Sequence, residues 1–247
     1  TGLNLRYRGI QEFDIIPTVK NMTKYAVMIT DPLEIKRELV KAINIAMDGR
    51  RGPCWLDVPQ DVQSAIVEES DLYAIAEYKS EVPLPKQDEI TEAIRLLKQA
   101  KRPCILTGTG IRSSNAMDAF YQFADQCKIP VIGASWAADN CYDAYPYYYG
   151  LSGNIGPRTG NFILQNADVI LTLGNSLGFR QTGFNLEGFA PNAKIIMVDA
   201  CADEAKKPGL KIHQFIHTDL HEFFRLASCQ KIDIDVDAEW IGYCQKV

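Results

Sequence analysis

Apolar residues recur at three- and four-residue spacing through Ile35, Leu39, Ala42, Ile43 and Ala46, which predicts an amphipathic helix entered at Pro32. Gly49 is placed to stop that helix in the left-handed conformation that glycine adopts cheaply. Gly52-Pro53 then turns the chain, and Cys54-Trp-Leu-Asp-Val58 reads as a short buried strand ended by Pro59. Tyr25–Ile29 reads as a strand ahead of the helix. These pieces make a strand–helix–strand fragment of an α/β domain.

From residue 90 onward, helical and strand periods alternate. Ile90, Ala93, Ile94 and Leu97 form one apolar helix face; Met117, Phe120, Phe123 and Ala124 form a second; Leu220, Phe223, Phe224 and Leu226 form a third. Between them lie short apolar runs at Pro103–Thr107, Pro130–Gly133, Val169–Leu173, Lys194–Val198 and Ile212–Ile216. Such alternation makes a parallel sheet with right-handed crossovers. The expectation is a doubly wound α/β sheet of five or six strands, Rossmann-like, with helices on both faces. Its loops after Thr107, Leu173 and Val198 should share one edge. The polar, proline-containing stretch around Glu81-Val-Pro-Leu-Pro-Lys86 suits an interdomain linker. The expected organisation is a partial α/β domain over 1–63, a linker over 64–86, the central domain over 87–229, and a second linker over 230–247 leading to a further domain.

A hydrophobic content of 47% with 23% charged residues describes an ordinary globular chain, and 247 residues leave ample room for a core. The formal charge of −5 argues against nucleic acid or an anionic membrane as the main partner. No apolar run approaches the length of a membrane span, and no signal peptide is visible. The seven cysteines are odd in number and lack metal-ligand spacing, which speaks against a disulfide framework and for a reducing cytoplasm. Thr1 opens the chain inside a recognisable pattern, so a trimmed or proteolytic piece of a longer protein is expected.

Candidate chemistry gathers on three loops. Gly108-Thr109-Gly110 lies between a strand and a helix, where two glycines let backbone N–H groups approach a diphosphate and Ser113 or Ser114 would cap the helix. The plain alternative is a glycine that merely turns the chain. Asp199 ends a strand where a carboxylate would meet a ribose. The loop Gly174–Gly183 carries Asn175 and also Arg180, a phosphate partner. His213, His217 and His221 stand four apart, but on a strand, its exit and the next helix, so convergence on zinc is not expected. Tyr142, Tyr145, Tyr147, Tyr148 and Tyr149 read as a long loop packed over the sheet edge.

The string from Gly49 to Gln63, with Arg8-Gly-Ile-Gln-Glu-Phe-Asp14 and Met22-Thr-Lys-Tyr25 before it, resembles the end of the pyrimidine-binding domain of thiamine-diphosphate-dependent enzymes of the acetolactate-synthase type. Gly108-Thr-Gly110, Ala167–Gly174 and Phe189–Asp199 are similar, in that order, to the central domain of the same enzymes. The resemblance implies a parent that uses thiamine diphosphate and Mg2+ to decarboxylate or ligate a 2-keto acid or acyloin-type substrate, as a dimer or tetramer. It places Gln11 near the active site, with a surface role as the alternative. It also implies FAD on the central-domain loops, although three positions depart from that pattern. Ser176 replaces a common arginine, no paired aspartates precede Arg180, and Ile155 stands where the family has histidine. These departures weigh against FAD. The family's early glutamate and its Gly-Asp-Gly…Asn segment fall outside these residues, so the chain by itself is expected to be inactive and to bind no thiamine diphosphate. A stand-alone FAD- or NAD-binding module and a non-catalytic scaffold remain the alternatives. Because residues 1–63 would hold only part of a sheet, they are expected to leave an open edge and an uncovered apolar face, so that the piece docks on the central domain, pairs with another copy of the chain or shows raised mobility, with pairing between copies the favoured outcome.

Overall fold

The computed structural model describes residues 13–247. Two compact units divide the chain between Glu81 and Val82. The larger one, Val82–Val247, is built on a six-stranded sheet: β3 (Pro103–Thr107), β4 (Val131–Ala134), β5 (Tyr148–Ser152), β6 (Val169–Leu173), β7 (Lys194–Asp199) and β8 (Ile212–His217). Their order is β5-β4-β3-β6-β7-β8 and all pairs are parallel, so the loops after Thr107, Leu173 and Asp199 do lie at one edge. The chain leaves β3 toward one side and β6 toward the other, making a doubly wound sheet whose switch point falls between them.

Alternate residues feed two separate cores, as the pleat requires. Ile105, Leu171, Leu173, Ile196 and Val198 pack against Gln87–Gln99, Met117–Cys127 and Leu220–Ala227. Cys104, Leu106, Ile170, Ile195 and Met197 pack on the other face, against Arg158–Asn166 and Ala238–Lys246. The segment after residue 229, expected as a connector, thus contributes a helix to this core. Trp240 and Cys244 are buried, and the indole N–H donates to Pro103 O at 3.0 Å.

One strand went unread in the sequence. Tyr148–Ser152, taken for part of a tyrosine-rich loop, forms the edge strand β5. Gly150 sits in it at φ 90° and the register against β4 shifts between Val131 and Gly133, so the regular alternation that marks a strand is broken. Tyr142, Tyr145 and Tyr147 do pack together in the turn before it, with edge-on contacts between Tyr142 and Tyr145 and between Tyr145 and Tyr147.

The smaller unit holds β1 (Tyr25–Met28) and β2 (Cys54–Asp57), paired in parallel, and the helix Ile35–Met47. Asp48 caps that helix and Gly49 follows at φ 52°, the left-handed stop its sequence implies. Among the described residues, only Val19, Ile29, Ala42 and Val62 form the buried hydrophobic set of this unit. Leu39, Ile43 and Met47, spaced four apart, are 47–53% exposed, and Trp55 on β2 is 42% exposed. Among the described residues β1 and β2 pair only with each other, and the stripe of Leu39, Ile43 and Met47 is half exposed. All seven cysteines are free thiols. Among the described residues no helix is long and apolar enough to cross a membrane.

Candidate functional site

At the switch point the crevice is closed by the protein's own backbone. Gly108 N–H donates to Leu173 O at 2.9 Å and Gly110 N–H to Gly174 O at 3.0 Å. A Cβ on Gly108 would lie 2.1 Å from Gly174 O, and one on Gly110 would lie 2.5 Å from Gly174 Cα. The two glycines therefore serve the close approach of one loop to another, and their N–H groups are not turned to an anion. Ser113 and Ser114 do not cap a helix N-terminus; their hydroxyls return to Thr109 O and Gly110 O. The helical turn they belong to is only Gly110–Ser113, too short to gather a useful dipole. Thr109 is exposed at its start.

Asn175 is also engaged within the protein. It is buried, its Oδ1 accepts from Leu177 N–H at 2.9 Å, and its Nδ2 donates to Thr107 O at 3.4 Å. That arrangement holds Leu177 at φ 48°, a conformation a leucine rarely keeps unaided. Asp199 accepts from Cys201 N–H at 2.9 Å and its carbonyl from Thr218 N–H at 3.1 Å, so it shapes the turn after β7. Gln11 lies outside the described residues.

Arg180 is the sequence candidate that faces open space. Its guanidinium lies 5.2 Å from the centre of the Trp136 ring and 6.0 Å from that of Phe179, a cation stacked between aromatic faces. Trp136, 70% exposed on the turn after β4, went unread; a large aromatic directly after a strand at the loop edge was the available signal. Together with Ser135, Ser176, Gly178 and Gln181, these residues line a groove of about 190 Å³. Gln181 donates through Nε2 to the Ser152 hydroxyl at 2.9 Å, while its buried Oε1 has no partner. On the far side of Arg180 a cavity of about 510 Å³ runs along Gly153, Asn154, Asn161, Thr182 and Phe184, a volume in the range of small-molecule sites. The groove thus offers one cation beside an aromatic platform. A diphosphate cradle is not built at Gly108–Gly110.

His213, His217 and His221 do not converge: no group of three potential metal ligands occurs among the described residues. His217 instead stacks on Phe215 and its Nε2 lies 3.1 Å from Ala200 O.

A doubly wound parallel sheet with its candidate groove beyond the carboxyl ends of the strands defines a Rossmann-like domain. A family model for the thiamine pyrophosphate enzyme central domain matches residues 90–226. The chain belongs to that family. It is 32% identical over 235 residues to an acetolactate synthase isozyme 1 large subunit of Escherichia coli (strain K12), covering 94% of this chain and 40% of that protein. An acetolactate synthase large subunit of Corynebacterium glutamicum is 28% identical over 244 residues, covering 95% of this chain and 38% of its own length. A glyoxylate carboligase of Escherichia coli O157:H7 is 31% identical over 258 residues, covering 98% and 42%. The chain therefore spans about 40% of the length of these relatives. Among the described residues the amides of Gly108 and Gly110 are both engaged within the chain, so neither is turned to a diphosphate.

Proposed function

We propose that these residues are the central portion of a thiamine-diphosphate-dependent carboligase or decarboxylase resembling acetolactate synthase, acting on a 2-keto acid or acyloin-type substrate. The carrying observation is the central-domain match over 90–226, joined to relatives that extend the likeness across 94–98% of the chain. In this reading the central unit is a structural spacer, and thiamine diphosphate with Mg2+ is held by residues other than those described here. The protein is a cytoplasmic homo-oligomer, dimer or tetramer, without nucleic-acid or membrane partners.

The test has two arms. Calorimetric titration of the 247-residue chain with thiamine diphosphate and Mg2+ is expected to give no measurable heat; a micromolar constant would sink the assignment of the cofactor to other residues. The intact parent protein, given pyruvate or glyoxylate with the cofactor, is expected to release CO2. Absence of turnover with either 2-keto acid, in a protein that binds the cofactor, would overturn the substrate class.

A second reading keeps a nucleotide such as FAD or NAD on the central unit. The stacked Arg180 and the adjoining cavities support it; the engaged amides of Gly108 and Gly110 do not. Quenching of FAD fluorescence on titration, lost in Arg180→Ala, is the expected result of that reading. Binding that ignores Arg180 removes it.

A further inference from the structure

The stretch leading out of the smaller unit is tied to the helix Ile35–Met47 at both of the helix's ends. At the entrance, Asp31 accepts from Leu33 N–H at 3.0 Å and from the Tyr73 hydroxyl at 2.8 Å. Tyr73 N–H also donates to Leu33 O at 3.1 Å, and the Arg37 guanidinium sits 5.1 Å over the Tyr73 ring. At the exit, the Asp48 carboxylate accepts from the Ser80 hydroxyl at 2.5 Å, the Tyr78 hydroxyl at 3.0 Å and Glu81 N–H at 3.2 Å. Its backbone carbonyl takes the Lys24 ammonium at 2.6 Å.

A helix disfavours a carboxylate at its C-terminal end, where the peptide dipoles leave partial negative charge. Asp48 is in that unfavourable place and yet collects three donors from the four residues Tyr78–Glu81. Its backbone caps the helix, and its carboxylate is free to hold that segment. Little slack remains between the two posts. Five residues from Tyr73 to Tyr78 reach at most about 18 Å, while Asp31 and Asp48 stand about 25 Å apart along a helical path. The side chains of the two tyrosines make up the difference. Beyond Glu81, the chain is next buried at Pro85.

We propose that residues 73–81 form a strap clasped along the helix Ile35–Met47, with Asp48 as the clasp, so that opening it lengthens the tether between the two units. An open clasp adds residues 74–81 to that tether, about 27 Å of contour. Asp48 thereby sets how far the two units can separate, a role that a reading of 64–86 as a plain linker does not contain.

Hydrogen exchange at the Glu81 amide and tryptic cleavage after Lys79 test this on the full chain. In the unaltered protein both sites are expected to be protected, because cleavage and exchange require local opening. Asp48→Ala is expected to raise both rates about tenfold or more, since it removes three bonds to a charged acceptor. The helix amides of residues 39–46 should keep their protection. Should Asp48→Ala unfold the smaller unit, the pair Tyr78→Phe with Ser80→Ala decides instead; it leaves Asp48 in place and should give a few-fold rise. Unchanged rates in either variant with the helix intact, or full exposure of Lys79 and Glu81 in the unaltered protein, would overturn the proposal.

Discussion

The two units put similar local patterns to opposite ends. In the larger unit the sheet has helices over both faces, and Phe120, Ile105 and Phe223 are fully buried. In the smaller unit the same motif, a helix connecting two parallel strands, leaves Leu39, Ile43 and Met47 half exposed. The helix Ile35–Met47 buries Glu38 and Ala42 instead, and Glu38 accepts a hydrogen bond from the Tyr25 hydroxyl at 2.6 Å. A parallel sheet stabilises itself by being covered on both faces, and a two-stranded one is marginal alone. The comparison teaches that amphipathic periodicity specifies which residues seek cover, while the number of neighbouring elements determines whether they find it.

The largest contrast is in the cost of truncation. Phe223 packs edge-on against Phe123 and Phe224 in the larger core, so Phe223→Ala is expected to destabilise that unit by about 3–5 kcal/mol in urea unfolding followed by circular dichroism. A loss under about 1 kcal/mol would show that this core is not the close-packed one described.

Next comes the switch point, where backbone meets backbone. Gly108→Ala forces a methyl to within 2.1 Å of Gly174 O, with a cost of about 3 kcal/mol or more in the same assay. A neutral substitution would mean that the two loops part easily and that the crevice is open to a ligand. Asn175→Ala removes the acceptor that holds Leu177 at φ 48°, and about 1–3 kcal/mol should be lost. The larger unit should bear both losses while the protection of Tyr25–Met28 stays constant.

How far these features were legible depends on where their partners lie. Strands buried on both faces announce themselves as apolar runs, so Ile105, Ile170 and Ile196 were readable without a structure. Gly49 was readable because its helix ends beside it. Tyr148–Ser152 was not, because an edge strand carrying a left-handed glycine loses its alternation. Gly108 and Gly110 announce a close approach, but a sequence does not say whether phosphate or Gly174 makes it. Asp48 is the hardest case. Its three donors come from 30 to 33 residues further along, beyond the reach of any local pattern.

Acid and base should separate the two units further. Burial by itself raises Asp48, but the bonds from Ser80, Glu81 N–H and Tyr78, with the charge of Lys24, outweigh it and hold the carboxyl below its ordinary range. Tyr78 is pushed up to about 12 by burial first and then by its bond to Asp48, with smaller contributions from Glu81 and Cys54. A depressed carboxylate contributes stability that is present above its unfolded value near 4 and is lost as pH falls through the folded one. A raised tyrosine contributes stability that is present below its unfolded value near 10 and is lost as pH rises toward 12. Protection of the Glu81 amide, corrected for intrinsic exchange, should therefore hold between roughly pH 5 and 10 and fall on either side. In Asp48→Asn the acid limb should flatten. An acid limb that survives the substitution would assign it to other carboxylates.

The smallest expected effect is the sharpest test of the comparison. Ile43 is 53% exposed on the apolar stripe, so Ile43→Ser should change the stability of the smaller unit by no more than about 0.5 kcal/mol in dilute solution. An exposed side chain has little burial to lose, and the new hydroxyl is solvated in both states. If the cost instead approaches 2 kcal/mol and grows with protein concentration, the stripe is covered by a second copy of the chain, because only association makes stability depend on concentration. Sedimentation equilibrium should then show a dimer that Ile43→Ser weakens. A large cost independent of concentration would contradict the exposure itself and place Ile43 inside a core that the chain supplies on its own.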